Sequence, residues 1–219
     1  MTDTSLHPRL RDPATLAALA RDYRACGGNL RVADVLAPGL AAALPDLLLS
    51  LPFSAHHVQD DHVRCFFWRC VIGVPPEGLG ALPPPLDLLG RFVTQDLPAL
   101  ASAITGRPVR GPVEDWLPVC LYRKGSYLDA HEDHGIDRAV AFVLGLTRGA
   151  WPAEVGGHLE FLAEDRETVV ERRPPGFDTL DLYDVRPVVR WHRVPLLVEH
   201  VERLTVSGWL PSSPEATTC

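Results

Sequence analysis

A mainly β fold carrying a helical N-terminal layer is predicted by three features of this sequence. First, the second half breaks into eight short apolar runs, at 117–123, 127–133, 139–146, 157–163, 167–172, 177–183, 187–194 and 201–210. Gly, Pro, Asp or charged turns separate them, and no segment of helical length intervenes. Second, two of the runs alternate apolar and polar residues, Phe177-Asp-Thr-Leu-Asp-Leu-Tyr183 and Arg203-Leu-Thr-Val-Ser-Gly-Trp209. That period marks half-buried strands, and eight of them at close spacing suit an antiparallel sandwich or barrel. The jelly roll, a cupin-like double-stranded β-helix, is the natural eight-stranded case. Third, the first half has helical texture punctuated by proline.

Within that first half, Pro13 to Ala25 is rich in Ala and Leu at helical spacing, and Gly27-Gly28 stops it. Pro38 to Leu51 reads as a second helix. From His56 to Val74 the composition shifts to Val, Phe, Trp and Cys, which predicts one or two strands. A Pro/Gly stretch at 75–85 reads as a loop. Residues 86–105 repeat a helical apolar pattern through Leu86, Leu88, Leu89, Phe92, Val93, Leu97 and Leu100. The expected organisation is one integrated domain. Residues 1–115 form the mixed helical layer, 116–211 the jelly-roll core and 212–219 a C-terminal tail.

Composition narrows the function classes. The chain has 219 residues, with 46% hydrophobic and 22% charged, which fits a folded domain with a proper core. A net charge of −7 leaves no basic footprint for nucleic acid. The longest apolar run, Val35 to Leu51, is interrupted by Pro38, Gly39, Pro45 and Asp46, so no membrane span is expected. The polar N-terminus lacks a signal core. Five scattered cysteines without a CxxC pair argue for reduced thiols, and the expected compartment is the cytoplasm. No oligomeric state is read from the sequence.

The candidate chemistry sits in Tyr127-Leu-Asp-Ala-His131-Glu132-Asp133-His134. On a strand, His131 and Asp133 face one way while Glu132 and His134 face the other. A histidine and a carboxylate so placed can share one metal ion. His192, 59 residues beyond Asp133, lies in the seventh run, and strands two and seven of a jelly roll are neighbours. Two histidines and one carboxylate form the facial triad of non-haem Fe(II) oxygenases. One His-x-Asp among nine histidines is weak by itself; its company strengthens it. Arg203 and Thr205 share a face of the eighth strand, expected beside the seventh, and suit a carboxylate ligand. His56, His57, His62 and His158 read as solvated surface, and Trp191 and Trp209 as core or pocket wall.

The order His131-x-Asp133, Gly156-Gly157-x-Leu159-x-Phe161, Pro175-Gly176, His192-x-Val194, Arg203-x-Thr205-x-x-x-Trp209 resembles the Fe(II)/2-oxoglutarate-dependent dioxygenases, in their prolyl-4-hydroxylase-like branch. The resemblance implies that His131, Asp133 and His192 are the catalytic, metal-binding residues for Fe(II). It implies that Arg203 holds the distal carboxylate of the co-substrate 2-oxoglutarate with Thr205, and that Tyr122 faces that co-substrate. O2 and, optionally, ascorbate complete the implied cofactors. The implied reaction hydroxylates an unactivated C–H bond while 2-oxoglutarate is decarboxylated to succinate. Asp133 retains the carboxylate that related halogenases replace with a small residue, which implies hydroxylation, desaturation or ring closure.

One departure concerns the substrate. Members of this branch often carry a third-strand tyrosine at the distal carboxylate, where this chain has Gly145; either Tyr127, Tyr183 or Thr205 compensates, or the pocket differs. That departure and the proline-rich loop tilt the expectation toward a small molecule, such as a free or carrier-bound amino acid. The alternative is a protein substrate, as for prolyl hydroxylases. From other classes, a metal-binding jelly-roll module without redox chemistry and a zinc hydrolase remain. The hydrolase would need a base, and Glu132, the adjacent candidate, faces away.

Overall fold

The computed structural model describes residues 4–73, 82–112, 116–133, 135, 137–186 and 189–213. His134 and most of the expected 75–85 loop lie outside them. Helix α1 (Pro13–Ala25) begins where the Asp12 carboxylate accepts the Thr15 backbone N–H at 2.9 Å, with Pro13 in the first turn. It ends at Gly27 and Gly28, both at positive φ. A Cβ at Gly28 would also crowd the Asp184 carboxylate.

Strand β1 (Asn29–Ala33) leads into α2 (Pro38–Leu49), which turns Leu40, Ala41, Leu44 and Leu48 inward. Strands β2 (Ser54–Gln59) and β3 (Arg64–Gly73) form a hairpin in the region expected to hold one or two strands. The pattern at 86–105 is one helical rod in three parts. Helix α3 (Pro84–Arg91) and α4 (Leu97–Thr105) are joined by a widened π turn at Phe92–Asp96. Among the described residues no helix is long and apolar enough to cross a membrane.

Eight strands follow in the second half: β4 (Trp116–Tyr122), β5 (Tyr127–His131), β6 (Arg138–Leu146), β7 (Leu159–Leu162), β8 (Val169–Arg173), β9 (Phe177–Asp184), β10 (His192–Val194) and β11 (Arg203–Pro211). All pairings are antiparallel, in the order β1-β9-β6-β11-β4-β3-β5-β10-β7-β8, with β2 on β3. This is the curled jelly roll. The first-half strands β1 and β3 are laddered directly to β9 and β4, so the N-terminal segment extends the sheet. One neighbour relation differs from expectation: β11 pairs with β4 and β6, not with β10. The jelly-roll ladder sends the eighth strand back beside the first and third.

The main core lies between the helices and one face of the large sheet, where Leu44, Leu89, Phe92, Leu97, Phe142, Leu144, Leu180 and Val206 are all buried. The opposite face looks into the roll, and the candidate residues lie there.

Candidate metal and carboxylate site

His131 and His192 are direct cross-strand partners on β5 and β10, the second and seventh strands of the roll. Their rings lie 4.2 Å apart. Asp133 follows just beyond the end of β5, with Oδ1 3.9 Å from His131 Nε2 and Oδ2 3.7 Å from His192 Nε2. One ligand atom from each of the three residues falls within 4.8 Å of the others, a group able to hold a metal ion. Both imidazoles are prepared for that task. His131 Nδ1 lies 2.9 Å from the Asp129 carbonyl and His192 Nδ1 3.0 Å from that of Arg190, so each Nδ1–H donates to backbone and Nε2 keeps its lone pair. Burial, then the neighbouring His192, pushes the His131 pKa well below its usual value, keeping the ring neutral as a metal ligand must be.

Tyr183 completes this end. From β9 its hydroxyl donates to Asp133 Oδ2 at 3.2 Å and lies 3.3 Å from His192 Nε2. Burial, then the Asp133 charge, raises its pKa well above normal, so the phenol stays a donor. Tyr183 is therefore not at the carboxylate end, where a substitute for the third-strand tyrosine would be needed, but at the metal end. The phenol stands edge-on to Phe161, at 5.3 Å between ring centroids.

The other end is built across three strands. Thr205, Gly145 and Thr179 lie side by side on β11, β6 and β9. A Cβ at Gly145 would come within 2.6 Å of Thr179 Oγ1 and 2.7 Å of the Gly176 carbonyl. That crowding is why no tyrosine fits there: Thr179 and the Pro175-Gly176 turn occupy its space. Arg203 is 4% exposed and lies over the Tyr122 ring at 4.7 Å, while Tyr122 stacks on Phe67 at 5.0 Å. Tyr122, buried between them, thus supports the guanidinium from below.

A carboxylate suits this end chemically. Arg203 Nε and Thr179 Oγ1 are buried without a partner among the described residues, and both residues line one small cavity with Gly145 and Thr205. Arg31, Arg173 and Asp181 line it too, so three guanidiniums face a single carboxylate and the cavity is positive. Asp181 is held by Arg31 Nε and Nη2 at 2.8 and 2.7 Å and by Arg173 Nη1 at 2.8 Å. The cavity measures about 10 Å³, room for one water-sized group.

Among the histidines read as surface, His158 is 4% exposed. Burial, then Arg172, lowers its pKa. The sequence signal missed there is its place directly before the buried strand β7. His56 is half-buried against Phe67, and His57 and His62 are exposed as expected. Thr179, Asp181 and Tyr183 were also readable as one face of an alternating run, but which face looked into the roll was not.

The profile of the 2OG-Fe(II) oxygenase superfamily matches residues 117–211. A prolyl 3,4-dihydroxylase (OGFOD1) of Ostreococcus tauri is 30% identical over 117 residues, covering 49% of this chain and 22% of that protein. A prolyl 3-hydroxylase (OGFOD1) of Mus musculus is 27% identical over 131 residues, covering 58% of this chain and 23% of the relative. The match thus spans under a quarter of either relative's length. Among solved structures, a Trichoplax adhaerens prolyl hydroxylase in complex with a hypoxia inducible factor peptide fragment superposes with TM-score 0.70 at 17% identity, covering 100% of both chains. At that identity the likeness shows the fold alone, a jelly roll.

Proposed function

We propose that the chain, whose residues 117–211 match the 2OG-Fe(II) oxygenase superfamily model, is an oxygenase that hydroxylates a prolyl residue in a peptide or protein. The observation that carries the oxygenase reading is the convergence of His131, Asp133 and His192 inside the roll, together with a positive cavity whose donors Arg203 Nε and Thr179 Oγ1 have no partner among the described residues. The prolyl reading is supported by the names of the relatives. Those names favour it over the free or carrier-bound amino acid that the sequence suggests.

When bound together, Fe(II), 2-oxoglutarate and O2 supply the oxidising power, one oxygen atom entering the substrate and succinate and CO2 leaving. His131 and His192 would present Nε2 to the iron, each oriented through the carbonyl at its Nδ1. Asp133 would add the charge that makes the set selective for a divalent cation. Tyr183 would hold Asp133 Oδ2 and leave Oδ1 for the metal. Arg203, Thr205 and Thr179 would bind the distal carboxylate, with Tyr122 keeping the guanidinium in place. The apolar lining of Phe161, Leu159 and Val143 would keep bulk water from the reacting centre.

The test is an anaerobic optical titration with Fe(II) and then 2-oxoglutarate. A weak visible charge-transfer band that needs both additions, and is lost in His192→Ala, is expected. Tight metal binding with no band would overturn the oxygenase reading and favour a metal-binding module or a zinc hydrolase.

A further inference from the structure

The cavity at the carboxylate end is lined from two walls of the roll. Arg203 and Thr205, Gly145 and Thr179 reach it from β11, β6 and β9, which are laddered side by side. Arg173 reaches it from β8, at the far end of the strand order, in register with Leu159 of β7 on the same lining. Leu159 packs with Phe161 and Tyr183 inside the roll, so its cross-strand partner Arg173 faces inward too.

Arg173 is 7% exposed, and its guanidinium lies over the Phe161 ring at 5.1 Å. It is held at two corners: Nε donates to Glu171 Oε1 at 2.6 Å and Nη1 to Asp181 Oδ1 at 2.8 Å. Nη2 is committed to neither carboxylate. Nor do the two carboxylates use up its charge. Both oxygens of Asp181 also accept from Arg31, at 2.8 and 2.7 Å, and the Glu171 side chain is 42% exposed, where water screens it.

The donors on this lining are few. No phenol lines it, and Gly145 has no room for one beside Thr179 and the Gly176 carbonyl. Arg31 has Nε and Nη2 on Asp181 and Nη1 on the Pro174 carbonyl. Arg203 Nε is buried with no partner among the described residues. Arg173 is thus the second of the three lining arginines with a nitrogen to spare. A carboxylate between two guanidiniums is gripped by charge-assisted hydrogen bonds from both sides.

We propose that Arg173 is a second carboxylate-binding residue for the co-substrate, its Nη2 meeting the distal carboxylate of 2-oxoglutarate from the wall opposite Arg203. This rests on the 2-oxoglutarate oxygenase reading above. The pair of guanidiniums makes the site selective for a 2-oxo acid with a second carboxylate, since an apolar tail would leave both cations facing it without an anion.

The alternative is that Arg173 only braces β8 against β9, and the choice of ligand separates the two roles. The Kd of 2-oxoglutarate is compared with that of 2-oxopentanoate, which carries a methyl group in place of the distal carboxylate. Both are measured anaerobically on the Fe(II)-loaded protein through the visible band. In Arg173→Gln the Kd for 2-oxoglutarate is expected to rise about 10-fold or more, while that for 2-oxopentanoate changes by less than about 2-fold. Arg173→Lys keeps a cation for Asp181 but not the planar fork, so its loss should be smaller and equally confined to 2-oxoglutarate. It carries the comparison if the glutamine variant does not fold. Equal changes for the two ligands, or none for either, would overturn the assignment of Arg173 and leave the oxygenase reading standing. A wild-type protein that gives no band with 2-oxoglutarate would overturn both.

Discussion

The two ends of the inner sheet face treat their polar groups in opposite ways. At the metal end each ligand is held by another protein group: His131 and His192 by backbone carbonyls, Asp133 by the Tyr183 phenol. At the carboxylate end, Arg203 Nε and Thr179 Oγ1 are buried and have no partner among the described residues. The first end is arranged in advance for a cation, because a metal tolerates little error in ligand position. On the proposed reading, the second keeps donors open for an anion that arrives with its own acceptors. The cost of leaving them open falls on the protein's stability and returns as affinity when the anion binds.

The most damaging way to break this contrast is at the metal end itself. In Asp133→Ala, succinate release is expected to fall by more than about 100-fold, beyond the 10–100-fold typical of losing only a ligand's partner. Fe(II) binding by the optical band should vanish with it. Next comes Arg203→Ala. A charge-assisted hydrogen bond to a carboxylate contributes about 1.5–3 kcal/mol, so the Kd for 2-oxoglutarate should rise roughly 10–150-fold while binding of metal alone is unchanged. If Arg203→Ala weakened metal and 2-oxoglutarate equally, the two ends would not be separate sites.

Tyr183→Phe sharpens the comparison from the other side. It keeps the ring against Phe161 and deletes only the hydroxyl on Asp133. Metal affinity, read with Co(II) by its visible absorption, is expected to drop about 10-fold. In an Asp133→Ala background the same substitution should have no further effect on residual Co(II) binding. An equal effect in both backgrounds would mean that Tyr183 acts through packing and not by orienting the carboxylate.

How these residues could be read in the sequence follows the same divide. His131 closes β5 and Asp133 follows two residues on, and His192 follows from the pairing of the roll's second and seventh strands, so local spacing plus fold class suffices. Arg203 and Thr205 show the same period. Tyr183 and Thr179 lie in an equally clean alternating run, yet their roles depend on β9 being in register with β6 and β1. Register of that kind is set by turns and bulges distant in the chain, such as the shift between Gly145 and Leu146. The Arg31–Asp181–Arg173 seam joins residues up to 150 positions apart, and nothing local announces it. The placement of β11 beside β4 and β6 failed for the same reason: spacing orders strands along the chain, not across the sheet.

The smallest effect discriminates best. Thr179→Val replaces a buried hydroxyl that has no partner with a methyl group of similar shape. Without 2-oxoglutarate, the variant should therefore melt above the wild type, because an unsatisfied buried polar atom has been removed. With saturating 2-oxoglutarate the order should narrow or reverse, since the wild type gains a hydrogen bond of about 0.5–1.5 kcal/mol that the variant lacks, a roughly 2–10-fold difference in Kd. A thermal melt of both proteins with and without 2-oxoglutarate, in the presence of metal, reads the two signs in one experiment. An equal rise in Tm under both conditions would show that the Thr179 hydroxyl never meets the co-substrate, and that Arg203 and Thr205 hold the carboxylate without it.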